Sequence, residues 1–293
     1  MHAEPSSVPP PEQPHGRGAG RAPGREQGRE PGRPWYREVV PGAGRAVRGA
    51  WDRRGELRDP TSRVAVVVGL VLVALGAAVF LGVLDAVQER DDLASADTPV
   101  LDWLVAARGP ALTAFLTAVS AVTGPSVLPV VVLVACLAWG WRTRSWWQPG
   151  LLAAAMVVST LVSVTVKAVV ARPRPPLSTM SVPGSESTYS FPSGHTVGTA
   201  TFLLVLGYLV WIRNPHRRSL VLWVLTTSAG ILLVAGSRLY LGYHFLTDVT
   251  AGLALAVAVL GGVVVVDRRR AVRAARMTAG SRPGDDAGAT PAG

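Results

Sequence analysis

The chain has 293 residues, of which 49% are hydrophobic and 16% charged, and its formal net charge is +10 at pH 7. The mean hydropathy of +0.32 is high for a soluble protein of this length, and the apolar excess excludes a wholly disordered chain. A single cysteine, Cys136, excludes an intramolecular disulfide framework and a metal site built from clustered cysteines.

The two ends of the chain are polar and poor in apolar runs. Residues 1–63 hold ten prolines, ten glycines, twelve arginines and eight acidic residues. Such a segment buries too little apolar surface to offset the entropy cost of ordering, so we expect a disordered cytoplasmic arm. Residues 271–293 are similar and are expected to form a disordered cytoplasmic tail. The start shows no charged region followed by an apolar one, so no cleavable signal peptide is expected.

Between these ends, residues 64–270 are expected to form a membrane domain. Residues 64–84 are 21 residues without a charge, and as a helix they are long enough to cross a hydrocarbon core of roughly 30 Å. Five further apolar stretches follow, at 126–141, 150–166, 196–212, 219–236 and 249–266. Because a chain in lipid must satisfy its own backbone hydrogen bonds, these stretches are expected to be helices. The predicted fold class is therefore an all-α polytopic membrane protein with six transmembrane helices.

A thirteen-residue apolar stretch, 111–123, leaves the number of spans between six and seven. With six spans, the cytoplasmic segments hold 23 arginines against 11 acids, and the outer side holds five arginines and one lysine against eight acids. A seventh span would move Arg142 and Arg144 outside and weaken this positive-inside pattern. We therefore predict six spans with both termini in the cytoplasm, and an interfacial or re-entrant segment at 99–123. The net charge then reports orientation in the membrane and gives no support for a nucleic-acid partner.

Two segments at predicted outer helix ends bring cations and a helix N-terminus to one side of the membrane. In the first, Lys167 closes an apolar helix and Arg174 follows seven positions later, before a proline. In the second, Ser193 stands before an apolar helix that begins with Gly194 and His195. Serine is a favoured N-cap residue, and the free N–H groups of a first helical turn form an anion site. Charges at this depth are costly unless they have a partner or a function.

A third segment adds an arginine and a histidine–aspartate pair. Arg238 ends one apolar helix, and His244 and Asp248 follow four residues apart, before the next one. On a helical turn this spacing lets the carboxylate reach the imidazole and fix its tautomer. Alone, either His195 or His244 would more often be a capping or interfacial residue. Together, the cations and N–H donors suit phosphoryl oxygens, while one histidine can attack phosphorus and the other can protonate the leaving oxygen.

The acidic residues give no indication of a metal site. The eight outer acids fall mostly between residues 85 and 102, and we expect them to lie away from the basic set. Because no carboxylate cluster indicates Mg²⁺, we expect a metal-independent mechanism that uses no cofactor.

The three segments resemble the signature of the type 2 phosphatidic acid phosphatase superfamily, which is related to vanadium haloperoxidases and bacterial acid phosphatases. That signature reads Lys-x₆-Arg-Pro, Pro-Ser-Gly-His and Ser-Arg-x₅-His-x₃-Asp, and this chain matches all three parts in order. The resemblance covers roughly residues 64–266 and implies a helical-bundle phosphatase core. It implies that His244 is the nucleophile and forms a phosphohistidine, that Asp248 orients it, and that His195 is the general acid.

The resemblance also implies which groups hold the phosphoryl oxygens: Lys167, Arg174, Arg238, the Ser193 hydroxyl and the Gly194 backbone N–H. Arg172 lies in the same run as Arg174 but outside the signature, so a head-group or loop contact is expected for it before a substrate contact. Four aromatic residues flank the site and are expected to pack or to lie in the membrane interface: Tyr189, Phe191, Tyr240 and Tyr243.

The resemblance implies an integral lipid phosphatase of the cell membrane with its active site on the outer face. Its substrate would enter laterally from the outer leaflet, and the candidates are an isoprenyl diphosphate such as undecaprenyl diphosphate, phosphatidic acid and phosphatidylglycerol phosphate. Three alternatives stay open: a lipid phosphotransferase, a vanadate-binding haloperoxidase, and a non-catalytic transporter or scaffold that binds lipid phosphate. The sequence does not indicate an oligomeric state.

Overall fold

The computed structural model describes residues 60–90, 92–213 and 215–280, and within these ranges it contains helices and no strands. The described residues form eight α-helices, in chain order α1 (Pro60–Glu89), α2 (Asp97–Ala106), α3 (Pro110–Val122), α4 (Leu128–Thr143), α5 (Trp147–Val170), α6 (Gly194–Trp211), α7 (Arg217–Tyr240) and α8 (Leu246–Gly280). Short 3₁₀ helices occupy Asp92–Ala96 and Leu177–Thr179. The predicted all-α fold class is confirmed.

Five helices are long and apolar enough to cross a membrane, namely α1, α5, α6, α7 and α8. The remaining predicted span forms α4, which has 16 residues and is shorter than the roughly 20 residues that a span usually needs. The membrane-spanning fold is thus confirmed, whereas the count of six spans is approximate.

The segment that was predicted to be interfacial or re-entrant forms α2 and α3, which have 10 and 13 residues. Their junction is tied to the end of α7 by Arg108, whose Nε donates to Tyr240 O at 2.7 Å and whose Nη2 donates to Thr179 O at 2.6 Å. The backbone N–H of Gly109 donates to the Tyr240 hydroxyl at 2.7 Å. These bonds hold the short helices against the end of the bundle that carries the third motif.

Small residues allow the first and last helices to approach closely. A Cβ added to Gly76 of α1 would lie 2.6 Å from the Ala254 carbonyl oxygen, and one added to Gly261 of α8 would lie 2.5 Å from the Gly69 carbonyl oxygen. Close backbone approach at small residues is the usual way in which membrane helices pack. The outward faces stay apolar, as Leu232 shows with 71% of its surface exposed, which is the pattern expected of helices that face lipid.

Tryptophans and arginines gather at the end of the bundle where α4 ends and α5 begins. Trp147 Nε1 donates to Asp267 Oδ1 at 3.0 Å, and the Arg270 guanidinium lies 3.7 Å from the centre of the Trp147 ring. The Arg213 guanidinium lies 5.6 Å from the ring of Trp139. Amphipathic rings and basic side chains together are typical of a membrane–water interface.

The helical part of the chain extends beyond the predicted membrane domain at both ends. Helix α1 begins at Pro60 and α8 runs to Gly280, whereas residues 64–270 were predicted. Most of the predicted arm and tail, residues 1–59 and 281–293, lies outside the described residues, so the interpretation of disorder there stays a prediction.

Candidate active site

All the predicted site residues lie at one end of the bundle. They occupy helix ends and the loops that join them: Lys167 in the last turn of α5, Arg174 in the loop that follows, Ser193 before α6, Gly194 and His195 at its start, Arg238 in the last turn of α7, His244 in the next loop and Asp248 in the first turn of α8. Since α5 and α7 end where α6 and α8 begin, antiparallel packing brings the three motifs together.

His244 and Asp248 form a buried pair with a defined tautomer. Nδ1 of His244 lies 3.2 Å from Asp248 Oδ2, and Nη1 of Arg174 lies 3.3 Å from His244 Nε2. A carboxylate can only accept and a guanidinium can only donate, so Nδ1 carries the proton and Nε2 keeps its lone pair. Burial lowers the pKa of His244 to about 4, although Asp248 opposes this shift. The imidazole is therefore neutral at pH 7, as a nucleophile must be.

Asp248 is fixed by several donors besides His244. Its Oδ2 accepts from the Phe245 backbone N–H at 2.9 Å and from the Ser190 hydroxyl, and its Oδ1 accepts from Arg172 Nη1 at 2.6 Å. The side chain of Asp248 has no exposed surface. A buried carboxylate with this many donors holds one orientation, so the imidazole that it contacts is held as well.

Asp97 extends this network and corrects the prediction that the acids of residues 85–102 lie away from the basic set. Its Oδ2 accepts from Arg172 Nη2 at 2.7 Å and from the Thr247 hydroxyl at 2.6 Å, while its Oδ1 accepts from the Thr247 backbone N–H at 2.9 Å. Arg172 therefore bridges Asp97 and Asp248, and its guanidinium also lies 4.5 Å from the ring of Phe245. Its guanidinium contacts lie inside the protein, with two carboxylates, the Thr247 hydroxyl and the ring of the loop residue Phe245.

Two of the predicted phosphate ligands share an acidic partner. Arg174 Nη2 donates to Glu186 Oε2 at 3.0 Å, and Arg238 Nη2 donates to Glu186 Oε1. Arg238 is 1% exposed, and its Nη1 donates to the Ser120 hydroxyl at 2.5 Å. The Nε of Arg238 has no hydrogen-bond partner among the described residues. The two arginines come from different motifs, so Glu186 joins the first motif to the third.

Lys167 and the N-terminus of α6 lie beside each other and provide the other predicted phosphate-binding groups. Lys167 Nζ donates to the Tyr189 and Ser190 carbonyl oxygens at 2.6 and 3.2 Å. A Cβ on Gly194 would lie 3.9 Å from Lys167 Cε, so the lysine lies beside the first turn of α6. Ser193 occupies the N-cap position as predicted, but its hydroxyl makes no capping hydrogen bond and accepts instead from Thr196 Oγ1 at 3.1 Å. No N-cap side chain therefore occupies the N–H groups of this first turn.

A cavity of about 260 Å³ connects the predicted site residues to apolar helix surfaces. Its polar end is lined by Lys167, Arg174, Glu186, Gly194, His195 and His244. Its apolar end lies among α4, α5 and α6, where Leu128, Met156, Val164 and Gly198 line it. Arg238 lines an adjoining pocket together with His195 and Glu186. The arrangement can hold an anionic head in the basic part and a hydrocarbon chain in the apolar part.

The flanking aromatic residues differ in environment. Phe191, Tyr240 and Tyr243 are buried, and each belongs to an apolar cluster at this end of the bundle, whereas Tyr189 is 49% exposed. Tyr243 also lies under the Arg238 guanidinium, 4.5 Å from its ring centre. Packing accounts for the three buried rings.

Sequence reasoning missed three residues of the site: Asp97, Glu186 and Ser190. None of them belongs to the three-part pattern, although Ser190 lies two residues before its second part. Among the described residues, no group of three or more His, Cys, Asp or Glu side chains has the proximity that a metal site needs. Metal independence itself stays a prediction.

Comparison with known proteins relates the sequence and the fold to one family. Residues 148–271, which include every predicted site residue, match the family described as the PAP2 superfamily. Phosphatidylglycerophosphatase B of Bacillus subtilis is 28% identical over 181 residues, which cover 60% of this chain and 85% of that protein. The crystal structure described as the first transmembrane PAP2-type phosphatidylglycerolphosphate phosphatase from Bacillus subtilis matches with a TM-score of 0.60 and 25% identity, over 67% of this chain and 96% of that one.

Proposed function

We propose that the chain, which matches the PAP2 superfamily over residues 148–271 and is similar to a phosphatidylglycerophosphatase in sequence and fold, is a membrane lipid phosphatase. It hydrolyses a phosphate or diphosphate monoester of a lipid through a phosphohistidine intermediate. The observation that carries the mechanism is the unprotonated Nε2 of His244, whose lone pair faces Arg174 Nη1 at 3.3 Å, while Asp248 holds the opposite ring nitrogen. A neutral, oriented imidazole beside several cations is suited to attack on phosphorus.

In the first step, His244 Nε2 attacks phosphorus and the bond from phosphorus to the lipid oxygen breaks. That oxygen takes a proton from His195, which lines the same cavity and acts as the general acid. The imidazole gains positive charge as the P–N bond forms, and Asp248 stabilises this charge through the Nδ1–H bond. The products of this step are the dephosphorylated lipid and phosphohistidine.

In the second step, water attacks the phosphohistidine and releases inorganic phosphate. His195, neutral after the first step, takes the proton from this water, and the P–N bond breaks to restore the neutral His244. Negative charge on the phosphoryl oxygens peaks during both steps, so donors that are already in position stabilise the transition states. We assign this role to Lys167, Arg174, Arg238, the Ser193 hydroxyl and the Gly194 N–H, as the signature implies.

The apolar end of the cavity supports lateral entry of a lipid. It lies between α4, α5 and α6, and two of the residues that line it, Thr160 and Val164 of α5, are also exposed on the outer surface of the bundle. A lipid tail left among these side chains would keep its contact with hydrocarbon while the phosphate enters the basic pocket. Candidate substrates are an isoprenyl diphosphate such as undecaprenyl diphosphate, phosphatidic acid and phosphatidylglycerol phosphate.

Charge at the opposite end of the bundle supports an active site on the outer face of the cell membrane. Several arginines lie at that end, at Arg142, Arg144, Arg213, Arg217, Arg218 and Arg268 to Arg270. Basic residues favour the cytoplasmic side of a membrane. With that end inside, the end that holds His244 faces outward.

A phosphate-release screen over the three candidate lipids tests the proposal. Replacing His244 with alanine should abolish release, and replacing His195 with alanine should lower kcat by about two to four orders of magnitude. His216→Ala is the matched control, because His216 is exposed at the start of α7, ~33 Å along the helix from Arg238. Full activity of folded His244→Ala would refute the nucleophile, and transfer of phosphate to an added alcohol in place of water would favour the phosphotransferase alternative. We also expect activity to persist in excess EDTA.

A further inference from the structure

Glu186 occupies the position between the two arginines that the proposed mechanism assigns to the phosphoryl group. Its Oε2 accepts from Arg174 Nη2 at 3.0 Å, and its Oε1 accepts from Arg238 Nη2. The two carboxylate oxygens therefore bridge two guanidinium groups, as two oxygens of a phosphoryl group would. The same side chain lines the cavity that contains His244 and the pocket that contains His195.

Glu186 carries a negative charge at neutral pH. Burial alone would raise the pKa of this carboxyl group, but the charges of Arg238 and Arg174 lower it below its ordinary value. Donors on both arginines are consequently engaged by an anion that belongs to the protein. A substrate phosphate that uses these donors has to displace the carboxylate.

The segment around Glu186 is suited to such a displacement. Residues 182–185 are exposed, and the Glu186 side chain keeps 20% of its surface exposed, so a path to water is short. Gly184 has a φ of +76°, and a Cβ built there would touch nothing within 4 Å. The Ser185 hydroxyl bonds to the Val182 carbonyl oxygen, within the segment itself. Movement of the Glu186 side chain breaks its two ion pairs while the helices keep their packing.

We propose that Glu186 is a specificity-determining residue. Its carboxylate occupies the phosphoryl site and prevents singly charged phosphodiester lipids from binding there, whereas the doubly charged phosphate of a monoester or terminal diphosphate displaces it. This inference rests on the proposed function, since it assumes that Arg174 and Arg238 bind the phosphoryl group. It also assigns a task to an acidic residue that the catalytic steps leave unused.

The charges of the competing ligands explain the selection. A phosphate monoester carries about −1.5 to −2 at pH 7, whereas a phosphodiester head group offers a single negative charge to the arginines. Exchanging the Glu186 carboxylate for a diester replaces one negative charge by another and gains nothing, whereas a dianion adds attraction to Arg174, Arg238 and Lys167. A cavity that opens toward hydrocarbon meets phosphodiester lipids in large excess over substrate, so such a selection keeps the site available.

Competition by dioleoylphosphatidylglycerol in mixed micelles tests the proposal. Phosphate release from phosphatidic acid is measured at a fixed mole fraction of substrate, with diacylglycerol at the same mole fraction as the uncharged control. In Glu186→Gln the amide keeps the shape but loses the charge, so the concentration of this diester that halves the activity should fall at least about tenfold. The KM for phosphatidic acid should fall as well, because the internal competitor is weakened. Glu89→Gln, at an exposed glutamate on α1, should behave like the wild type.

If Glu186 only held Arg174 and Arg238 in place, the same measurements would give the opposite pattern. In that case Glu186→Gln would raise the KM for phosphatidic acid and leave inhibition by the diester unchanged, and this result would overturn the proposal.

A second measurement needs no variant. Methyl phosphate, a dianion, should inhibit the wild-type enzyme at least about tenfold more strongly than dimethyl phosphate, a monoanion, and equal inhibition would also overturn it. Loss of the proposed function itself would appear separately, as phosphate release that His244→Ala retains.

Discussion

Replacing Arg172 with methionine would leave two buried carboxylates without the cation that bridges them. Arg172 donates to Asp97 Oδ2 at 2.7 Å and to Asp248 Oδ1 at 2.6 Å, and methionine keeps most of the apolar stem while it removes both bonds. The exposed fractions of the three side chains are 15%, 4% and 0%, so this is a buried network rather than a surface ion pair.

The magnitude follows from that burial. Removing one partner of a buried ion pair costs about 3–5 kcal/mol, because the other charge stays buried without compensation. In Arg172→Met two carboxylates are left, although Asp97 keeps its two bonds from Thr247 and Asp248 keeps those from His244 and the Phe245 backbone N–H. We therefore expect a loss of about 3 kcal/mol or more in the free energy of unfolding. The value of kcat should fall more than KM rises, since Arg172 acts on Asp248 and not on substrate.

The single cysteine provides the assay. Cys136 is buried in α4, with 7% of its surface exposed, so a thiol-reactive maleimide dye reports the temperature at which the protein unfolds in detergent. Arg218→Met is the control, because Arg218 is exposed at the start of α7. In the double variant Arg172→Met with Asp97→Asn, the loss should be smaller than the sum of the two single losses. An unfolding temperature equal to that of the control, or strict additivity in the double variant, would refute the reasoning.

Three further experiments test other parts of the site. Lys167→Arg keeps the charge but replaces a compact ammonium by a planar fork, so we expect kcat/KM to fall by up to about a hundredfold through misplacement of the phosphate; unchanged kinetics would mean that charge alone matters there. Thr160→Trp fills the apolar end of the cavity and should raise KM for a long-chain lipid phosphate by roughly tenfold, the scale of overpacking. The KM for a short soluble phosphate ester should stay the same. Val157→Trp places the same bulk on a neighbouring exposed position of α5 and should leave the KM for both substrates unchanged. The pKa of His244 is about 4 in the folded state and about 6.5 in the unfolded state, so between these pH values only the unfolded chain binds the extra proton. The free energy of unfolding should therefore fall as the pH drops from 7 to 5. His244→Asn should make this dependence on pH weaker.

How well the role of each residue could be predicted depends on how far along the sequence its contact partners lie. The pairing of His244 with Asp248 is local, four residues apart, and the spacing predicted it. The contact between Asp97 and Thr247 joins positions 150 residues apart, so it depends on how α2 packs beside α8. At Ser193, local propensity correctly predicted the N-cap position before α6 but not the hydrogen bond that the side chain makes. Its hydroxyl bonds to Thr196 because a neighbouring side chain competes with the backbone N–H groups.

The membrane topology shows the same division between pattern and packing. Apolar length predicted α1 and α5 to α8, because crossing hydrocarbon is a requirement on each segment separately. The short helices α2 and α3 carry no such signal, and their position depends on the bonds from Arg108 to Tyr240 and Thr179. Arg108, which the charge count assigned to the outer side, thus makes a tertiary contact that the count could not predict.

Asp248 and Glu186 are both paired with arginines at the site but differ in burial, and this difference predicts which one moves. Asp248 has no exposed side-chain surface and is held by Arg172, Ser190 and a backbone N–H, so moving it would leave a buried cation and an unpaired imidazole. Glu186 is 20% exposed, and the hydrogen bonds of its carboxylate go to Arg174 and Arg238, which a phosphoryl group can satisfy equally well. Displacing Glu186 therefore costs little net hydrogen bonding, whereas displacing Asp248 would remove the orientation of His244. Substitution at Glu186 should change which anions bind, and substitution at Asp248 should change whether a bound phosphate reacts.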